Sequence, residues 1–346
     1  MTFNIGGEFD FDKNLYNNKS KKNKFSNLKN YYTINGISAF YQILLRLNKD
    51  KIKTIYVPDL ICESLLLPIK KLNFKYKFYE INEDLSSTFI PKENTSILVI
   101  HYFGTVNKGL ENLRIESKKK KFCLIEDISH CYLNKNFLFN AKNEFFSSLR
   151  KHGIFGPGGL SNVNFNLKNK LTKFENEFLT KSLALRIMKN AHISNEEYIS
   201  KEQIFLNSFK KINQFFNNRL SNSAINQKYK KNLYDCNITS MVKKRLDNWS
   251  YLDSKVGHKF EKIYSHVNEN RIPLGYIIFL DKRDLLKKYL MKKRIFCGIH
   301  WLSKKIPIKN KSFISKKMMQ NSITIPIDHR YGHNDMEYIA ETLYKF

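Results

Sequence analysis

Lys151 stands in the run Ser147-Ser148-Leu149-Arg150-Lys151-His152, and a glycine-rich turn, Gly156-Pro157-Gly158-Gly159, follows within a few residues. Upstream, Asp127 closes the run Phe122 to Glu126, which is apolar until its last member. Near the start, Asn35-Gly36-Ile37-Ser38 joins a turn to a helix-capping signal ahead of the apolar-periodic segment Ala39 to Leu47. Taken singly, each is ordinary: one lysine among many, an acid that is solvated or caps the next helix, and a turn. Together they meet the needs of one cofactor. Pyridoxal 5'-phosphate requires a lysine for covalent attachment, an acid to keep its pyridine nitrogen protonated, and a helix N-terminus for its phosphate.

The surrounding elements put these residues where such a site belongs. After the Ala39 to Leu47 helix, a short strand at Thr54 to Val57 is stopped by Pro58. A helical stretch from Glu63 to Leu72 carries Leu65, Leu66, Ile69 and Leu72 on one side, and Tyr76 to Tyr79 reads as a strand. Ser96 to His101 is a buried strand ending at Gly104, a helix runs from about Asn107 to Lys118, and Phe122 to Glu126 is the next strand. Strands alternating with helices predict right-handed crossovers and an α/β fold with a mostly parallel sheet, whose ligands bind at the carboxyl ends of the strands. His101 and Glu126-Asp127 lie at such ends.

Between about Leu171 and Leu220 the pattern is helical and rich in Phe and Leu, with Phe205, Phe209 and Phe216 at helical spacing for packing in a core or interface. Further on, a helix near Leu246 to Leu252, a strand at Leu274 to Leu280, a helix at Arg283 to Lys292, strand-like Phe296 to His300, a strand at Ile323 to Ile327 and a closing helix at Asp335 to Tyr344 suggest a smaller α+β domain. Residues 1–235 are thus expected to form a large domain with an N-terminal arm, and 236–346 a small C-terminal one, as a chain of 346 residues allows.

Lys and Arg number 60 against 31 Asp and Glu, a formal charge of +29. Such an excess suits a polyanionic partner, or reflects a bias spread along the whole chain; the densest clusters, Lys19 to Lys24 and Lys118 to Lys121, are short. No zinc-finger, helix-turn-helix or RNP-type motif supports nucleic-acid binding, and no apolar run reaches the roughly 18 to 20 residues of a bilayer span. The first dozen residues lack a basic segment, so a secretory leader is not expected. The five cysteines (Cys62, Cys123, Cys131, Cys236, Cys297) are odd in number and widely spaced, which predicts neither a disulfide framework nor a zinc site and suits a reducing, cytoplasmic compartment. Cys123, inside an apolar run, reads as a buried small hydrophobe.

The ordered motifs resemble the DegT/DnrJ/EryC1/StrS family of sugar aminotransferases, enzymes of the PLP-dependent transferase fold type I. Asn35-Gly36-Ile37-Ser38-Ala39 resembles the family's small-residue turn at the first helix, and Pro58 through Ser64 its proline-led segment beneath the cofactor. His101-Tyr102-Phe103-Gly104 resembles its His-x-x-Gly strand end, Ile125 through His130 its Glu-Asp motif, and Ser148 through Lys151 with Gly158-Gly159 its lysine segment. His300-Trp301, Ile325-Pro326-Ile327-Asp328 and Asp335-Met336 resemble the closing elements of the small domain. The resemblance spans nearly the whole chain. It departs at Cys62, where an aromatic ring usually covers the cofactor, at Ile37, where Thr or Arg usually adds a phosphate contact, and in the short spacing from Ser148 to Lys151.

The resemblance implies a seven-stranded sheet between helices, with Lys151 as covalent anchor and proton shuttle and Asp127 against the pyridine nitrogen. It further implies His130 near the cofactor's phenolic oxygen, Gly36, Ile37 and Ser38 as backbone donors to the phosphate with Ser148 adding a hydroxyl, and Cys62 beneath the ring. The implied reaction moves an amino group from an amino acid, by resemblance glutamate, to a keto-sugar, by resemblance nucleotide-linked, in surface polysaccharide or glycan biosynthesis, by a homodimer. The alternatives are a sugar dehydratase of the same fold, which carries His in place of the lysine, and an aminotransferase for a non-sugar ketone. Lys151 and His152 are adjacent, so the choice turns on one residue of register.

Overall fold

The computed structural model describes residues 4–11, 30–134, 143–154, 158–192, 196–225, 236–302 and 311–346. The Lys19 to Lys24 cluster and the Gly156-Pro157 pair lie outside them. In chain order the first elements are β1 (Ile5–Gly6), β2 (Tyr31–Thr33), α1 (Gly36–Lys49), β3 (Thr54–Pro58), α2 (Leu66–Lys71), β4 (Lys75–Tyr79), β5 (Ser96–Ile100), α3 (Leu110–Lys119) and β6 (Cys123–Asp127). They are followed by β7 (Glu144–Ser148), β8 (Gly159–Ser161), α4 (Lys173–His192) and α5 (Glu196–Asn218).

A seven-stranded sheet takes the order β2-β8-β7-β6-β5-β3-β4. Strands β7, β6, β5, β3 and β4 run parallel, while β8 is antiparallel to both β7 and β2. The expected mostly parallel sheet is therefore present. The run Ser-Ile-Leu-Val-Ile of β5 is buried throughout, as a central parallel strand covered on both faces must be. On α1, Phe40, Ile43, Leu44 and Leu47 are fully buried, each worth roughly 1.5–3 kcal/mol against exposure. That face packs on β7 and β8, two of the strands that the sequence did not announce.

The remaining chain forms α6 (Ile238–Val256), β9 (Glu261–Lys262), β10 (Tyr276–Phe279), α7 (Arg283–Lys292), β11 (Ile295–Phe296), α8 (Phe313–Asn321), β12 (Ser322–Ile325) and α9 (His333–Tyr344). Here β10 is the centre of an antiparallel sheet, β12-β10-β9, and β11 pairs in parallel with β1. The strand expected from Phe296 to His300 is thus cut short, and Trp301 beyond it takes a left-handed backbone, φ 58°. Helix α3 starts later than expected because the Asn107 side chain holds the N–H groups of Ser87 and Gly109 in a turn ahead of it. The stretch from Glu63 splits into a 3-10 turn, Glu63–Leu65, and α2.

The phenylalanines of the long helical region pack as expected: Phe205, Phe209 and Phe216 are buried, and Phe178 stacks on Phe215 at 3.9 Å. All five cysteines are free thiols. Cys123 departs from its reading, being half-buried between Arg46 and Glu144, whose carboxylate its thiol faces at 3.6 Å. Among the described residues no helix is long and apolar enough to cross a membrane.

Candidate active site

The carboxyl ends of β5, β6 and β7 and the N-terminus of α1 converge on one pocket of about 700 Å³, its open mouth included. Helix α1 begins where Asn35 caps it, its side-chain oxygen accepting from the Ser38 N–H at 2.8 Å. The Asn35 amide also donates to the carbonyls of Phe216 (2.6 Å) and Arg219 (2.9 Å), which ties the end of α5 to the start of α1. Gly36 permits the closest approach in the site. A Cβ there would fall 2.8 Å from the Ser148 Cβ and 3.2 Å from its Cα, so only glycine brings the helix end this near the end of β7.

Gly36 and Ile37 line the pocket, and as first-turn residues their N–H groups have no acceptor within the helix. With the positive end of the helix dipole behind them, they form a cradle for an anion. Ser148 lies on its rim, its own N–H donating to Ser129 Oγ at 3.0 Å. Ser38 lies behind the pocket. Its N–H is taken by Asn35, and its hydroxyl accepts from Ser221 N at 3.0 Å, so it braces the helix end and offers no donor to a ligand.

Beyond β7 the chain turns through a 3-10 segment, Leu149–His152, that ends at Gly153 in a left-handed conformation (φ 72°), where a Cβ would strike the Phe9 ring. This turn sends Lys151 into the pocket, with Nζ 2.9 Å from His130 Nε2. It sends His152 the other way, its ring buried and Nε2 bonded to the Ser129 carbonyl at 2.8 Å. Asp127, buried at the end of β6, accepts the Ser129 N–H at 2.9 Å and faces the same pocket.

Burial holds the Lys151 amine below its ordinary range; Arg150 pushes the same way, while Cys62 and Asp127 oppose it. Burial pushes the Asp127 carboxyl up, against the Ser129 hydrogen bonds and the charge of Lys151. Burial, with Lys151 adjacent, also keeps His130 well below the usual histidine range. Behind them, Arg114 and the ring of His101 (3.4 Å) hold the buried Glu126 between β5 and β6.

Of the residues singled out from sequence, Gly36, Ile37, Cys62, Asp127, His130, Ser148 and Lys151 line this one pocket. Cys62 contributes a thiol 3.1 Å from Ser64 Oγ and no ring. The aromatic surface comes from elsewhere: Trp301 lies 4.9 Å from Phe103 and 5.6 Å from His130, centroid to centroid. Sequence reasoning missed Arg150, Asn217 and Trp301 as lining residues. Arg150 reaches Asn217 Oδ1 at 3.4 Å, a contact set by how α5 docks, for which no local signal exists.

No family model matches the chain, and no match was found among curated protein sequences. Solved structures do share its fold. PseC of Helicobacter pylori, an aminotransferase involved in the biosynthesis of pseudoaminic acid, matches with a TM-score of 0.65 over 99% of this chain and 98% of that one, at 13% identity. A DegT DnrJ EryC1 StrS aminotransferase from Brucella abortus matches at TM-score 0.61 over 92% and 85%, at 14% identity. NtdA from Bacillus subtilis, solved with bound cofactor PMP, matches at TM-score 0.62 over 91% and 72%, at 13% identity. The fold expected from the motifs is therefore the fold observed.

Proposed function

We propose that the chain is a pyridoxal 5'-phosphate-dependent aminotransferase of the DegT/DnrJ/EryC1/StrS kind, moving an amino group from an amino acid, in our reading glutamate, to a nucleotide-linked keto-sugar. Surface polysaccharide or glycan biosynthesis is the setting such a product suits. One observation carries the reading: a half-buried lysine, a buried carboxylate and a helix N-terminus with unused N–H groups meet in a single pocket. The shared fold with a solved aminotransferase, and with a structure holding PMP, supports it.

The residues fit the cofactor. The Gly36 and Ile37 N–H groups and the Ser148 hydroxyl would take its phosphate, with Arg150 supplying a positive charge at the same pocket wall. Asp127 would pair with the ring nitrogen, a cation that would offset the cost of its burial. When bound, the cofactor supplies an electron sink for a carbanion at the amino-bearing carbon. Lys151 Nζ, whose affinity for a proton is lowered by burial, would attach the group and then take and return the proton at that carbon. Trp301, Phe103 and Tyr102 pack edge to face as an apolar wall that limits water at the proton-transfer site.

The chain's surplus of positive charge suits a diphosphate-bearing acceptor. We read the enzyme as a cytoplasmic homodimer, with the cofactor site in residues 1–235 and a smaller domain in 236–346. Purified protein mixed with the cofactor should turn yellow, and borohydride should then fix a pyridoxyl group on the Lys151 peptide. Attachment elsewhere, or none, would overturn the site. Turnover with glutamate should occur with a member of a panel of nucleotide-linked keto-sugars; turnover with simple ketones alone would reassign the acceptor.

A further inference from the structure

Beyond the apolar wall that Tyr102 and Phe103 help to form, the geometry of the His101-Tyr102-Phe103-Gly104 segment bears on Lys151. Gly104 adopts φ 103°, and a Cβ there would fall 1.9 Å from the Ile272 carbonyl, so the turn is bolted to the chain ahead of β10. Phe103, fully buried, takes a left-handed conformation (φ 55°) that is costly for any residue but glycine. Its carbonyl accepts the Leu274 N–H at 2.9 Å, and its N–H points at His130 Nδ1 at 3.1 Å.

A backbone N–H can only donate, so His130 Nδ1 must present its lone pair. The ring's single proton then sits on Nε2, the atom 2.9 Å from Lys151 Nζ. An ammonium group has no lone pair to accept that proton, whereas a neutral amine does. We propose that the Phe103 backbone fixes His130 as the Nε2–H tautomer, and that His130 is a positioning residue whose N–H donates to Lys151 and keeps its amine neutral before any cofactor arrives. The groups that face the pair fall on both sides of the balance. Asp127 from β6 and Cys62 from the segment after β3 favour the charged amine, while Arg150 on the same turn disfavours it, in line with the depressed amine. On the ring itself, His300 and His152 add to the burial that keeps it neutral.

The inference goes beyond the proposed reaction, because it concerns the cofactor-free protein and would hold whatever aldehyde the lysine meets. The test is competitive labelling of cofactor-free protein with acetic anhydride, which acylates only neutral amines, across a pH series, each lysine being read by peptide mass. Lys151 should titrate below the ordinary lysine range. His130→Gln offers an amide that can accept from Phe103 and donate to Lys151, and should leave the Lys151 titration in place. His130→Phe removes the donor and should raise it by about half to one unit, the worth of one neutral hydrogen bond. If the imidazole instead accepted from an ammonium, its removal would lower the Lys151 titration. A fall in His130→Phe, equal shifts in both variants, or a wild-type Lys151 that titrates in the ordinary lysine range would each overturn the proposal. None of these outcomes depends on whether the protein binds pyridoxal phosphate, so failure here is separable from failure of the proposed function.

Discussion

Gly36→Ala is the most direct probe of the anion cradle, because the structure fixes how far the helix end would have to move. The added Cβ would lie 2.8 Å from the Ser148 Cβ, about 0.6 Å short of ordinary contact, and 3.3 Å from the Ser147 carbonyl. Ser147 is fully buried within β7, so the strand cannot yield, and the first turn of α1 must withdraw. The withdrawal carries the Gly36 and Ile37 N–H groups away from a bound phosphate. Losing one charge-assisted hydrogen bond costs about 1.5–3 kcal/mol, a roughly 10- to 100-fold weaker affinity for pyridoxal phosphate. Overpacking should separately lower folding stability by about 1–3 kcal/mol. The assay is an absorbance titration of cofactor-free protein with pyridoxal phosphate and, in parallel, with pyridoxal, which has no phosphate. The variant should lose affinity for the first and keep its weaker affinity for the second. Unchanged affinity for both, or equal losses, would refute the assignment of the phosphate to this helix end.

Three further outcomes follow from other parts of the structure. Lys151→Ala should lose the covalent attachment and at least about 10²-fold in transamination while folding normally, whereas His152→Ala should keep the attachment on Lys151 but unfold at lower urea, since it empties a buried site and orphans the Ser129 carbonyl. Asp59, buried after β3, accepts from Ser312 N at 2.7 Å and Ser315 Oγ at 2.6 Å at the start of α8 and also meets Lys311; Asp59→Ala should cost about 3 kcal/mol in chemical denaturation. His130 and His152 are buried neutral, with folded pKa values held well below the unfolded value near 6.5 by burial, so below about pH 6.5 the unfolded chain binds the extra protons. Together they should remove about 2 kcal/mol of stability between pH 7 and 5.5, and stability that stays flat over this range in urea titrations would contradict the buried, uncharged rings.

What could be read in the sequence was decided by how local its causes are. Strands β3, β5 and β6 are short apolar runs stopped by Pro58, His101 and Asp127, and their order with the helices gave the parallel sheet. Strand β7 carries Glu144, Ser147 and Ser148, of which Glu144 pairs with Arg46 across the structure, so its composition resembles a loop. Helix α8 starts at the Ser312 cap, which accepts the Ser315 N–H, and Asp59, far away in sequence, holds both serines in place. The assignment of Ser38 as a phosphate donor failed for a reason already present in its motif: an Asn cap uses the N–H of the second or third helical residue, and here it is the third. Asn217 and Trp301 came to the pocket through α5 docking and a left-handed turn, neither of which has a periodicity to detect.

The one-residue ambiguity between Lys151 and His152 shows what structure adds to motif reading. In a 3-10 turn consecutive side chains diverge by about 120°, so neighbours can face different surroundings, and here Lys151 lines the pocket while His152 does not. Gly153 closes the turn with a left-handed backbone pressed on Phe9, and this fixes which of the two faces inward. Lys151 meets His130 beside Asp127, while His152 is spent on the Ser129 carbonyl, the same residue whose N–H steadies Asp127. The histidine thus serves the carboxylate through the backbone, and the lysine alone has an amine in reach of a ligand. A dehydratase would need that arrangement reversed, with the imidazole in the pocket and the lysine behind it. The register that favours transamination is therefore held by Gly153, Phe9 and Ser129, of which only Ser129 belongs to the motifs that first suggested the reaction.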